Sequence, residues 1–208
     1  SCMSQDKKHI RYVALGDSYT IGTGAQSEEA WPMLLTKHLK EKQVDVELVA
    51  NPARNGYSTE NVLEIELPVF DTCKADFVTI LIGVNDWVRG VDKEIFMKNL
   101  DEILRHVQKK LADKRNILLV TIPDFSATPQ GEIYSRGRNI SKGIAEFNAV
   151  IKDEAKKYGL TCADIYDLSK KMKDDPALVA EDGLHPSAKE YAEWEKKIFP
   201  EVYKLLAR

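Results

Sequence analysis

The chain has 208 residues, 43% hydrophobic and 30% charged, with a formal net charge of −3. That composition is too apolar for disorder, and the near-balanced charge argues against a general nucleic-acid binder. Apolar runs such as residues 77–84 fall far short of the ~18 residues that a membrane-spanning helix needs.

From the N-terminus, Ser-Cys-Met-Ser-Gln-Asp-Lys-Lys lacks the apolar run of a signal peptide. That leans towards the cytoplasm, with Met3 as a native start. Ser1-Cys2 could instead be the processed end of a lipoprotein. Residues 1–9 are therefore expected to form a disordered or anchor-proximal tail. Residues 12–15, Tyr-Val-Ala-Leu, read as a short buried strand ending at Gly16. A helix follows from Ser27 to about Gln43, with Ser27 as N-cap and Pro32 in its first turns. Residues 44–50 read as a strand, and residues 58–67 as a helix stopped at Pro68.

The β-rich run 77–82 is bounded by Asp76 and Gly83. Ile95, Leu100, Leu104, Val107 and Leu111 share one face of the next helix, and residues 117–122 form a strand stopped at Pro123. Residues 123–139 make the longest expected loop. Ile144, Phe147, Ile151 and Tyr158 mark another helical stripe, 160–165 a last strand, and Tyr191, Trp194, Ile198 and Leu205 a C-terminal helix. About five strands alternating with helices imply parallel strands in a three-layer α/β/α sandwich. In such sheets ligands bind outside the carboxyl ends of the strands.

Four blocks stand at those ends or at a helix start. They are Gly16-Asp17-Ser18, Asn55-Gly56, Gly83-Val84-Asn85-Asp86, and Asp182-Gly183-Leu184-His185-Pro186. A serine needs a base to remove its proton, and the base works best when a third group orients it. Ser18 is the candidate nucleophile, His185 the base and Asp182 the orienting acid, with Asp164 and Asp167 as alternatives. The developing oxyanion needs donors, which the backbone N–H groups of Ser18 and Gly56 and the side-chain amide of Asn85 could supply. Trp87 is a candidate wall of the substrate pocket.

Together these blocks resemble the SGNH hydrolases, also called the GDSL esterase/lipase family. They span Gly16 to Pro186 in the family's order, with Tyr19 where the motif has leucine. The resemblance implies a flavodoxin-like fold, a serine acyl-enzyme mechanism, no metal or other cofactor, and a small ester or thioester as substrate. Because Ser18 and His185 must then meet, residues 10–208 are expected to form one domain. The Gly-x-Ser-x-Gly elbow of ordinary α/β-hydrolases is absent, since Thr20 takes the last position.

Two other classes compete. Gly22-Thr-Gly24-Ala-Gln-Ser27 is an imperfect Gly-x-Gly-x-x-Gly, but a dinucleotide site would want an acid where Asn51-Pro52 stands. A catalytically silent ligand-binding relative is the third class. The acyl group is expected to be short, acetyl or lysophospholipid-like, and Arg136 and Arg138 in the long loop would select acidic substrates if they faced the cleft. Three cysteines (Cys2, Cys73, Cys162) without short spacing form neither a disulfide framework nor a zinc cluster. Cys73 and Cys162 could still pair in an oxidising compartment. The oligomeric state is not readable from the sequence.

Overall fold

The computed structural model describes residues 8–208, so Cys2 and most of the expected N-terminal tail lie outside the described residues. Five parallel strands, β1 (Ile10–Gly16), β2 (Val46–Ala50), β3 (Phe77–Leu81), β4 (Ile117–Val120) and β5 (Thr161–Ala163), form one sheet in the order β2-β1-β3-β4-β5. The middle strands β1, β3 and β4 are almost wholly buried, as their uninterrupted apolar runs require. Fully burying one such side chain contributes about 1.5–3 kcal/mol, so these runs belong in the interior.

The helices are α1 (Ser18–Ile21), α2 (Trp31–Glu41), α3 (Thr59–Asn61), α4 (Leu67–Thr72) and α5 (Val84–Val88). After them come α6 (Lys93–Lys110), α7 (Ile140–Lys157), α8 (Tyr166–Ser169) and α9 (Ala188–Leu206). Helix α2 packs on α9, and α6 packs on α7 with α3 and α4 beside it, giving two helical layers that flank the sheet. Phe96 of α6 stacks on Phe147 of α7 with ring centroids 4.5 Å apart. Trp31 and Trp194 are fully buried in the other layer.

Several elements differ from the sequence reading. The expected helix from Ser27 is interrupted: a 3₁₀ turn, Ser27–Glu29, gives way to extended Ala30 before α2 begins with Pro32 in its first turn. Pro32 has no N–H to continue a preceding helix but suits a fresh start. Pro68 does not stop its helix either. A five-residue π turn, Val62–Glu66, precedes α4 and places Pro68 in that helix's first turn, where a missing donor costs little. The inward face of α6 uses Phe96, whereas Ile95 is 50% exposed. Cys73 and Cys162 stand as free thiols.

Candidate active site

The chain runs from β1 out to β2 and then back across to β3, so β1 and β3 are sheet neighbours whose connections leave in opposite directions. Ligand crevices form at such switch points. Gly16, the last residue of β1, pairs with Leu81, the last of β3. The segments carrying Ser18 and Asn85 therefore leave the sheet side by side.

Ser18 opens α1, where the first backbone N–H groups have no acceptor inside the helix. Asp17 precedes it and caps the turn, its Oδ1 accepting from Tyr19 N–H at 3.0 Å. Gly22 ends the helix at φ +94°, a left-handed conformation that favours glycine. The turn is held from three sides. Trp31 Nε1–H donates to the Tyr19 carbonyl at 2.8 Å, Asn51 Nδ2 to that of Thr20 at 3.1 Å, and the Tyr191 hydroxyl to that of Thr23 at 2.7 Å.

Beneath this turn lie two buried acids. Glu66, at the end of the π turn, accepts from Gly16 N–H at 2.9 Å. Burial pushes the Asp17 and Glu66 carboxyls each up to about 8. One oxygen of each has no hydrogen-bond partner among the described residues, which fits neutral acids. Near neutrality the folded chain holds these protons and the unfolded chain does not. Stability should therefore fall as pH rises from about 4 to about 8, by on the order of a few kcal/mol. Urea unfolding at pH 5.5 and 8.5 checks this: Glu66→Gln, which keeps the acceptor for Gly16, is expected to flatten the decline. An unchanged pH dependence in that variant would remove Glu66 as its source.

Asp182 and His185 share one loop turn. Asp182 Oδ1 accepts from the backbone N–H of Leu184 and of His185, both at 2.9 Å, and Oδ2 lies 2.5 Å from His185 Nδ1. Burial works to raise the Asp182 pKa, but the hydrogen bonds from the His185 ring and the two backbone groups outweigh it and hold the carboxyl below its usual range. An ionised Asp182 can only accept, so His185 Nδ1 is the donor in this bond. Gly24, at φ +101°, lies against this loop: a Cβ there would sit 2.3 Å from the Pro186 carbonyl oxygen and 3.1 Å from His185 Cβ.

Asn85 stands in α5, and its Nδ2 donates to the Tyr57 carbonyl at 2.9 Å. That bond occupies one amide hydrogen and fixes the plane of the other. The neighbouring Asp86 is buried and accepts from both the backbone N–H and the hydroxyl of Thr59, tying the third block to the start of α3. Gly56 takes φ +81° in the second block, and the Thr23 hydroxyl donates to Asn55 Oδ1, linking the first block to the second. Ser18, Gly56, Asn85 and His185 line one cleft of about 330 Å³, with Val84, Val88, Phe125 and Leu184 on its apolar wall.

The sequence matches the GDSL-like lipase/acylhydrolase family over residues 14–192. The chain belongs to that family. An arylesterase of Vibrio mimicus is 30% identical over 112 residues, which cover 54% of each protein. Among solved structures, the fold is similar to that of the psychrotrophic esterase EstA from Pseudoalteromonas sp., with a TM-score of 0.74, 20% identity, and coverage of 95% of this chain and 99% of that one. TesA gives a TM-score of 0.75 at 21% identity, covering 94% of this chain and 99% of its own.

Other residues of the chain fall away from the cleft. Trp87 is 6% exposed and does not line it. Its ring packs against Phe125 and against Gly143, where any side chain would collide with the indole, so the pocket-wall expectation gives way to a packing role. Arg138 stacks over Trp87 at 3.8 Å and donates to the carbonyls of Trp87 and Val88. Arg136 is exposed outside the cleft. Asp164 is paired with Lys152 at 2.6 Å, and Asp167 points into solvent beside Lys170. Gly22 and Gly24 have their reasons in a helix end and a close loop contact, which removes the main support for a dinucleotide site. The supports from Glu66, Asn51 and Tyr191 have no signature in the sequence, because nothing in the spacing of these residues ties them to Ser18. No described helix is long and apolar enough to cross a membrane.

Proposed function

We propose that this acylhydrolase is a serine esterase acting through an acyl-enzyme. The observation that carries the reading is the Asp182–His185 pair, oriented by three hydrogen bonds, in the loop that brings His185 to the same cleft as Ser18. His185 Nε2 takes the Ser18 proton as Oγ attacks the ester or thioester carbonyl. Negative charge builds on the carbonyl oxygen, where the Ser18 and Gly56 N–H groups and the second Asn85 amide hydrogen donate to it. His185 then returns the proton to the departing alcohol or thiol. Water, deprotonated by the same imidazole, attacks the acyl carbon, and the imidazolium gives that proton to Ser18 Oγ as the carboxylic acid leaves. Asp182 holds the productive tautomer and stabilises the imidazolium formed in each half.

The cleft lies near the lower end of the ~300–1,000 Å³ range of ligand pockets, which favours short acyl or compact aryl groups. The esterase EstA has a structure inhibited by monoethylphosphonate, a compound whose tetrahedral phosphorus has the shape of the intermediate described above. Steady-state hydrolysis of 4-nitrophenyl acetate tests the reading. Asn85→Ala is expected to lower kcat by about 10²–10³-fold with KM little changed, the signature of a donor used mainly in the transition state. A wild-type chain without turnover on any ester or thioester would overturn the esterase reading. An Asn85→Ala effect below about threefold would remove Asn85 from the oxyanion site.

A further inference from the structure

We propose that Arg89 makes this cleft selective for substrates that carry an anionic group, a carboxylate or phosphate, beside the ester. The inference rests on the esterase reading for its reaction but on separate residues for its selectivity.

Arg89 follows Asn85 by four residues at the end of α5, with its N–H bonded to the Asn85 carbonyl at 3.0 Å. Residues four apart share one helical face, so Arg89 projects on the side of Asn85. Both residues line the cleft. The guanidinium lies over Gly56, where Nη2 would be 3.4 Å from a Cβ built on that glycine. It therefore stands at the rim of the expected oxyanion site.

Its charge is uncommitted. No described carboxylate forms an ion pair with Arg89; Asp86 feels its charge, but both Asp86 oxygens accept from Thr59. Other arginines nearby are occupied: Arg54 donates to the carbonyls of Asn51 and Ala53, and Arg138 to those of Trp87 and Val88. Among the described residues no Asp or Glu lines the cleft, and Arg89 is the one Lys or Arg on its wall. A cleft carrying one sign of charge concentrates ligands of the other, and a guanidinium fork matches carboxylate or phosphate with two parallel hydrogen bonds.

Two matched substrate pairs test the proposal. One is 4-nitrophenyl butyrate against the 4-nitrophenyl hemiester of glutaric acid, with the anion on the acyl side. The other is phenyl acetate against 4-acetoxybenzoate, with the anion on the leaving group. The readout is the ratio of kcat/KM for the anionic member to that for the neutral one. Arg89→Gln is expected to lower that ratio by at least about tenfold in one pair, the effect of losing a hydrogen bond between charged groups. Arg89→Glu should lower it further, and Arg89→Lys should recover part of it.

A ratio unchanged in both pairs, or an equal fall for both members, would overturn the proposal; the latter would assign Arg89 to the oxyanion or to the fold. Titration of whichever anionic ester shows the larger fall into the Ser18→Ala protein, with and without Arg89→Gln, reads the same contact without turnover. Weaker binding in the double variant supports the proposal, and equal binding contradicts it. Failure of esterase activity alone would show as wild-type inactivity on the neutral esters.

Discussion

Ser18→Ala is expected to lower ester turnover by about 10⁴-fold or more while leaving the thermal midpoint nearly unchanged. The main chain of α1 does not depend on the hydroxyl. Asp17 caps the turn, Gly22 ends it, and Trp31, Asn51 and Tyr191 hold its carbonyls from outside. Removing one oxygen from a side chain at the cleft therefore deletes the nucleophile and little else. The oxyanion donors would persist, leaving a weak background rate. Steady-state kinetics with a 4-nitrophenyl ester, beside a melting curve, checks both halves. Activity within tenfold of wild type would show that Ser18 is not the attacking group.

Asp182→Asn is expected to cost about 10³–10⁴-fold in kcat, and the reason is the tautomer. Asparagine can keep Oδ1 on the N–H groups of Leu184 and His185, so the loop should hold its shape. Its Nδ2 then faces His185 Nδ1 as a donor. The imidazole answers by accepting there and placing its proton on Nε2, where it can no longer take the proton of Ser18. A pH–rate profile of the variant checks this. A loss below about tenfold would mean that another group orients the ring, although Asp164 is held by Lys152.

The alternation of strands and helices along the chain, most of the helical faces and the four blocks at strand ends or a helix start are legible in the sequence because each has a local signature. An apolar run before Gly16, a glycine before Asn85 and an acid three residues ahead of His185 are patterns of spacing. What escapes is whatever depends on packing between distant segments. Trp87 follows the third block directly, yet Gly143, more than fifty residues on, makes room for it away from the cleft. Arg138 carries the same charge as Arg89, but two carbonyls of α5 claim it. Glu66, which accepts from Gly16, ends a π turn just ahead of Pro68, a backbone adjustment with no motif of its own.

The most direct test is covalent labelling with a fluorophosphonate followed by peptide mapping. A single adduct on Ser18, absent from Ser18→Ala and formed much more slowly in His185→Ala, is the predicted result. An unlabelled Ser18 in a preparation that turns over esters, or an adduct on another residue, would contradict the assignment of Ser18 as nucleophile and His185 as its base.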